Sequence, residues 1–157
     1  MNTEEKIYLT QESLDDYKNE LNHLQNVLRP QVIEEIKEAR GQGDLSENAE
    51  YDAARDKQAQ VEGRIAEIQH ILENYELIVE GKKANIVTIG SYVKIHNKDD
   101  ESVVKEFQIV GALDADPFNK KISNHTPLAK ACLGQKVGDI VEVDAPIKYE
   151  VKIDEIH

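Results

Sequence analysis

Ala39-Arg40-Gly41-Gln42-Gly43-Asp44-Leu45-Ser46-Glu47-Asn48-Ala49-Glu50-Tyr51 is the stretch on which the fold turns. Gly41 and Gly43, separated by one residue, signal a chain reversal. On both sides of it the apolar residues recur at helical spacing. Before it, Leu14, Tyr17, Leu21, Leu24 and Leu28 step by 3-4-3-4, the seam of a coiled coil, with Thr10 as the N-cap. Pro30 interrupts this pattern, and Val32, Ile33, Ile36 and Ala39 resume it in a shifted phase. That predicts one helix bent at Pro30, or two stacked helices. After the reversal, Tyr51, Ala54, Gln58, Val61, Ile65, Ile68, Leu72 and Tyr75 alternate steps of 3 and 4 throughout. Two long helices joined by a short glycine turn lie antiparallel. At about 1.5 Å per residue, arms of about 30 residues would each be about 45 Å long. The expectation is a stiff all-α hairpin over residues 1–78, with a narrow tip at 41–50.

The periodicity changes beyond residue 80, with Gly81-Lys82-Lys83 as the linker. Residues 86–89, 91–95, 107–110, 139–143 and 149–153 are short, β-branched and partly alternating, which predicts strands. Between them, Thr126-Pro127-Leu128-Ala129-Lys130-Ala131-Cys132-Leu133 reads as one short helix. Thr126 would be its cap, Pro127 its first position and Gly134 its stop. Residues 79–157 are therefore expected to form a small α+β domain with an antiparallel sheet.

Charge divides the chain at the same place. Residues 1–80 carry 19 acidic and 8 basic side chains, and residues 81–157 carry 12 and 11. The whole chain of 157 residues has a net charge of −12. A surface this acidic repels nucleic-acid phosphates, so broad DNA or RNA binding is excluded, and a basic cavity or a protein partner suits it better. Aromatic residues make up 5%, too few for a large single core. The one cysteine, Cys132, has no intrachain disulfide partner and reads as a small buried hydrophobe. No apolar run approaches the roughly 20 residues that span a bilayer, and the polar N-terminus is unlike a signal peptide. A cytoplasmic, monomeric protein is expected.

At the tip, Asp44 and Glu47 stand three residues apart at the expected start of the second helix. That spacing is a capping box, and both charges favour a helix N-terminus. A cap also fixes carboxylates in place while leaving oxygen lone pairs free. Mg²⁺ typically takes one or two protein carboxylates and fills its other positions with water and substrate phosphates. Two carboxylates on an exposed tip thus make half a metal site, fit to complete a two-metal phosphodiester-cleaving centre in another protein.

The run from Arg40 through Arg55, with Asp44-Leu45-Ser46-Glu47-Asn48-Ala49-Glu50-Tyr51 at its heart, resembles the signature of bacterial Gre-type transcript-cleavage factors. The resemblance extends over essentially the whole chain, through Leu28-Arg29-Pro30, Glu62-Gly63-Arg64-Ile65, Ile122-Ser123-Asn124-His125-Thr126-Pro127-Leu128-Ala129 and Val137-Gly138-Asp139. It implies a coiled-coil hairpin plus a globular domain of FKBP-like fold. In that family the globular part docks at the rim of the secondary channel of RNA polymerase, and the hairpin enters the channel of a backtracked enzyme. Carried onto this chain, Asp44 and Glu47 would hold a weakly bound Mg²⁺ shared with the polymerase and orient the attacking water. The polymerase then clips the nascent RNA 3′ end. Arg40, Arg55 and Lys37 would contact RNA phosphates, or else form ion pairs on the helix surface. Gly43, Leu45, Ser46, Asn48 and Tyr51 would support the tip, and Ser123, His125 and Pro127 would lie in the docking segment. The basic patch is sparse, which favours action on short backtracks.

Three other functions compete. A channel-plugging inhibitor of the same build would also carry an acidic tip, although the Asp-Leu-Ser-Glu spacing follows the active pattern. An FKBP-type prolyl isomerase would need an aromatic-rich apolar pocket, for which the second half offers Phe107, Phe118, Tyr92 and Tyr149. A plain coiled-coil adaptor accounts for the seams and not for the tip. His23, His70, His96, His125 and His157 are scattered without metal-ligand spacing.

Overall fold

A computed structural model describes residues 6–43, 48–79 and 85–157. The chain divides into two compact units, one of Leu14–Asn74 and one of Met1–Ser13 with Tyr75–His157. In this division the N-terminal strand and the residues after 74 belong to the sheet unit.

The hairpin unit is built from α1 (Gln11–His23), which begins in the other unit, α2 (Arg29–Arg40) and α3 (Ala49–Glu73). Between α1 and α2 the chain does not break. Leu24–Leu28 form a π-helical turn in which the Arg29 amide donates to the Leu24 carbonyl, and Leu28 and Arg29 keep helical dihedrals. Pro30 explains the wide turn. Its ring would strike the carbonyl four residues back and it has no amide to donate. An extra residue per turn relieves both conflicts.

The two seams meet as expected. Leu24, Val32, Ile36, Ala54, Val61, Ile65 and Ile68 form one buried cluster, flanked by Tyr17, Leu21, Leu28, Tyr51 and Leu72. Ile33, read as part of the stripe, is exposed on the outer side. Tyr75 lies past the end of α3 and starts a strand. Cross-arm ion pairs fix the antiparallel register: Arg29 with Glu62 at 2.7 and 2.8 Å, and Glu35 with Lys57 at 3.0 and 3.3 Å. Arg64 forks onto Glu20 at 2.6 and 3.0 Å and lies 5.9 Å over the Tyr17 ring.

The sheet unit contains a two-stranded parallel ribbon, β1 (Ile7–Leu9) with β2 (Tyr75–Leu77), and a five-stranded sheet. In the latter, β3 (Tyr92–Asn97), β4 (Val104–Val110), β5 (Lys121–Ser123), β6 (Ile140–Val143) and β7 (Tyr149–Ile156) lie in the order β5-β4-β3-β7-β6. All neighbours are antiparallel except β4 and β5, which run parallel. Its inner face offers Val93, Ile95, Phe107, Ile109, Val141, Val143, Val151 and Ile153 to the core, and α4 (Pro127–Cys132) closes that face with Ala129 and Cys132. The helix starts as read: the Thr126 hydroxyl accepts the Ala129 amide at 3.2 Å and Pro127 follows the cap. Gly134 sits at φ +82°, where glycine alone is unstrained.

Residues 86–89 do not form a strand. Ile86 makes an isolated bridge to Lys136, and Val87 exchanges backbone hydrogen bonds with Gly134 and Gln135 beyond α4. The β-branched run is thus satisfied by a loop and lies outside the sheet ladder.

Candidate functional site

The tip is assembled from the end of α2 and the start of α3. At the end of α2 the Gly41 amide donates to the carbonyls of Lys37 and Glu38 at 3.2 and 3.1 Å, and the Gln42 amide donates to Ala39 at 3.3 Å. These bonds tighten the last turn and satisfy carbonyls that a helix end leaves without partners. Gly43 then takes φ +109°, a conformation that requires glycine.

Across the reversal, α3 takes its cap from Asn48. Its Oδ1 accepts the Tyr51 amide at 3.1 Å, while its Nδ2 donates to the Ala39 carbonyl at 2.7 Å. The sequence reading gave the capping to Asp44 with Glu47, yet the described helix begins at Ala49, after both. The described cap is Asn48, whose amide offers a donor as well as an acceptor. Asp44, Leu45, Ser46 and Glu47, and with them the capping box expected there, lie outside the described residues.

The neighbouring candidates fall into place around this bridge. Arg40 holds its guanidinium 5.9 Å from the centre of the Tyr51 ring, a cation–π contact that also covers the seam. Tyr51 belongs to the hairpin core as well. Arg55 donates to Gln58 Oε1 at 3.2 Å, and Lys37 is exposed. Among the described residues none of Arg40, Arg55 and Lys37 is in an ion pair with an acid. Glu50 and Asp52 occupy the first turn of α3, where carboxylates favour the positive end of the helix.

The sheet unit gathers Ser123, His125 and Pro127 in one turn. The Ser123 hydroxyl accepts the His125 amide at 3.1 Å, and its carbonyl accepts the Thr126 hydroxyl at 2.9 Å. His125 and Pro127 are exposed. A groove of about 520 Å³ lies elsewhere on this unit, lined by Tyr92, Lys94, Glu106, Lys120, Lys121 and Glu155 among others. Val93 and Phe107 also line it, so Tyr92 and Phe107, two of the four aromatics an isomerase pocket would draw on, share this groove with charged side chains, whereas Phe118 is 98% exposed. Among the described residues no cluster of His, Cys, Asp or Glu is arranged to hold a metal, and no helix is long and apolar enough to cross a membrane.

The inter-arm pairs escaped the sequence reading. Hydrogen bonding to Arg64 holds the Glu20 carboxyl below its usual range, and Arg29 does the same to Glu62. Their signal was present: opposite charges flanking two antiparallel seams at matching heights.

A helical hairpin with a braced polar turn, joined to a small α+β sheet unit, is the class these features define. The profile described as transcription elongation factor, N-terminal, matches residues 7–77, and that for transcription elongation factor, GreA/GreB, C-terminal, matches 82–157. The chain is 64% identical over 154 residues to transcription elongation factor GreA of Metamycoplasma arthritidis, covering 97% of this chain and 96% of that protein. It is 53% identical over 155 residues to GreA of Mycoplasmopsis pulmonis, covering 98% and 96%. The solved structure of GreA factor homolog 1 of Thermus thermophilus aligns over 97% of this chain and 99% of its own, at 24% identity and a TM-score of 0.44. The chain belongs to the GreA/GreB family of transcription elongation factors, and within it the curated relatives named above are GreA proteins.

Proposed function

We propose that this protein rescues backtracked RNA polymerase by inserting its hairpin tip into the secondary channel and stimulating cleavage of the nascent RNA 3′ end by the polymerase itself. Asp44 and Glu47 are the residues that would hold a shared Mg²⁺, and the chemistry it supplies is charge neutralisation and activation of water at the scissile phosphate. Two carboxylates fit half of such a site, since Mg²⁺ keeps several waters and completes its shell with ligands from elsewhere. The protein is then no enzyme by itself.

One observation carries this reading. Beside the motif that resembles the Gre signature, Asn48 bridges the end of α2 and the start of α3 by hydrogen bonds of 2.7 and 3.1 Å. The arm also has reach: α3 alone has 25 residues, about 37 Å at 1.5 Å per residue. Arg40, Arg55 and Lys37, none in an ion pair with an acid among the described residues, would meet RNA phosphates. Ser123, His125 and Pro127 form the surface assigned to polymerase docking. So few cations suit short backtracks, the GreA type of activity.

The test is cleavage of a stalled elongation complex, followed by RNA length, with and without the protein. Asp44→Asn and Glu47→Gln should each abolish stimulation while binding to polymerase stays within a few fold. Undiminished rescue by the double variant sinks the assignment. Tight Mg²⁺ binding by the free protein in calorimetry would contradict the half-site.

A further inference from the structure

We infer that Asn48 is a positioning residue for cleavage, a strut whose amide locks the end of α2 to the start of α3 and so sets where the segment between them is presented. The inference rests on the cleavage reading above and adds to it the residue that aims the tip.

Two functions meet in one side chain, and they can be separated. Capping α3 uses only an acceptor, the Asn48 Oδ1 that receives the Tyr51 amide. Serine, threonine, aspartate and asparagine all meet that need about equally well. The second bond needs a donor at the same place. Asn48 Nδ2 reaches the carbonyl of Ala39, nine residues back and itself 4% exposed, at 2.7 Å. Ionised aspartate has no donor, and a serine or threonine hydroxyl donates and accepts through one atom on a shorter arm, as Thr126 does at α4. Asparagine holds acceptor and donor on separate atoms of a planar amide, so it serves the Tyr51 amide and the Ala39 carbonyl at once.

The strut closes a loop that begins and ends in fixed structure. Ala39 is buried in the last turn of α2, whose amide bonds from Gly41 and Gln42 hold that turn closed. On the other side the Asp52 amide returns to the Asn48 carbonyl at 3.1 Å, so the residue is tied into the first turn of α3 by backbone and side chain alike. With the bridge made, Ala39 and Asn48 are held against each other. Among the described residues, the other links between the arms near this end are the seam through Ala54 and its neighbours, the Glu35–Lys57 ion pair and the stacking of Arg40 on Tyr51. Reacting groups must be held within a fraction of an ångström, so small losses of aim are felt in rate before they are felt in stability.

Asn48→Asp keeps shape and acceptor and removes the donor. Asn48→Ser keeps an uncharged cap and is too short to reach Ala39. Both full-length variants are compared with the wild type on stalled elongation complexes, with cleavage rate measured against factor concentration and against Mg²⁺. Circular dichroism and melting temperature report on the fold. Helix content and half-saturating factor concentration should stay within about twofold, while the maximal rate falls about ten- to a hundredfold and more Mg²⁺ is needed for half-maximal cleavage. Wild-type rate and Mg²⁺ dependence in either variant would overturn the strut and leave the cleavage reading standing. A loss of rate matched by loss of affinity or melting temperature, with Mg²⁺ dependence unchanged, would also overturn it, as mere loosening of the hairpin. Wild-type protein that stimulates no cleavage overturns both readings together.

Discussion

Asp114 accepts the Ser13 hydroxyl on one carboxylate oxygen at 2.5 Å and the Thr10 amide on the other at 3.3 Å. Thr10 at the same time caps α1 by accepting the Ser13 amide at 3.2 Å. The first turn of α1 is thus held by two caps, one local and one from a residue about a hundred positions away. Asp114→Ala should lower stability by about 1–3 kcal/mol, because hydrogen bonds to a charged group are lost and a half-buried hydroxyl and amide lose their acceptor. Chemical denaturation followed by circular dichroism measures it. An unchanged midpoint would mean that the Thr10 cap suffices.

Gly111 should tolerate no side chain. Its φ of −71° is open to any residue, so backbone strain is not the reason. A Cβ there would overlap the Tyr8 carbonyl oxygen and press on the Tyr8 side chain. Gly111→Ala is expected to push β1 off its seat at a cost of about 1–3 kcal/mol or more. The loss would register as faster proteolysis near residue 8 and a lower melting temperature.

The Arg64–Glu20 fork should give the hairpin a measurable acid sensitivity. The folded pKa of Glu20 lies below its ordinary value of 4.5, chiefly because Arg64 hydrogen-bonds the carboxylate. A depressed carboxyl contributes its stability above the unfolded value and loses it as pH falls through the folded one. Arg64→Met should therefore lower the melting temperature at pH 7 and narrow its difference from the wild type below about pH 4. Both side chains are over a third exposed, so the effect is of the order of 1 kcal/mol or less. Equal differences at both pH values would show that Arg64 acts through its packing on Tyr17.

Cys132 should be chemically silent in the folded protein. It is fully buried at the end of α4, facing the sheet core, and burial pushes its thiol up to about 11. The thiolate is the reactive form, so a disulfide reagent should label Cys132 at the rate at which the sheet unit opens. Labelling within seconds in native buffer would contradict the packing.

The seams were legible in the sequence because a 3-4 repeat over many residues has few alternative readings. Thr126, Pro127 and Gly134 were legible because each does something only its residue type does well. What was missed was short or tertiary. β1, β2 and β5 have three residues each, too few for alternation to register, and each exists only because a distant strand pairs with it. Residues 86–89 have strand composition, yet their partners are loop backbone around Gly134, which no local pattern announces. At the tip, the bridge from Asn48 was not legible because its partner, the carbonyl of Ala39, lies across the turn and is invisible along the chain.

The wide turn at Leu24–Leu28 has a further consequence. A helix advances about 100° per residue, so one residue more or less upstream swings everything downstream around the axis like a key in a lock. Deleting a single residue from that turn would give a more regular helix and a worse protein. Val32, Ile36 and Ala39 would rotate away from α3, and the Ala39 carbonyl would no longer face Asn48. Indels should therefore be tolerated in this arm only in whole-turn steps, and a one-residue change far from the tip would misdirect it as surely as a change within it.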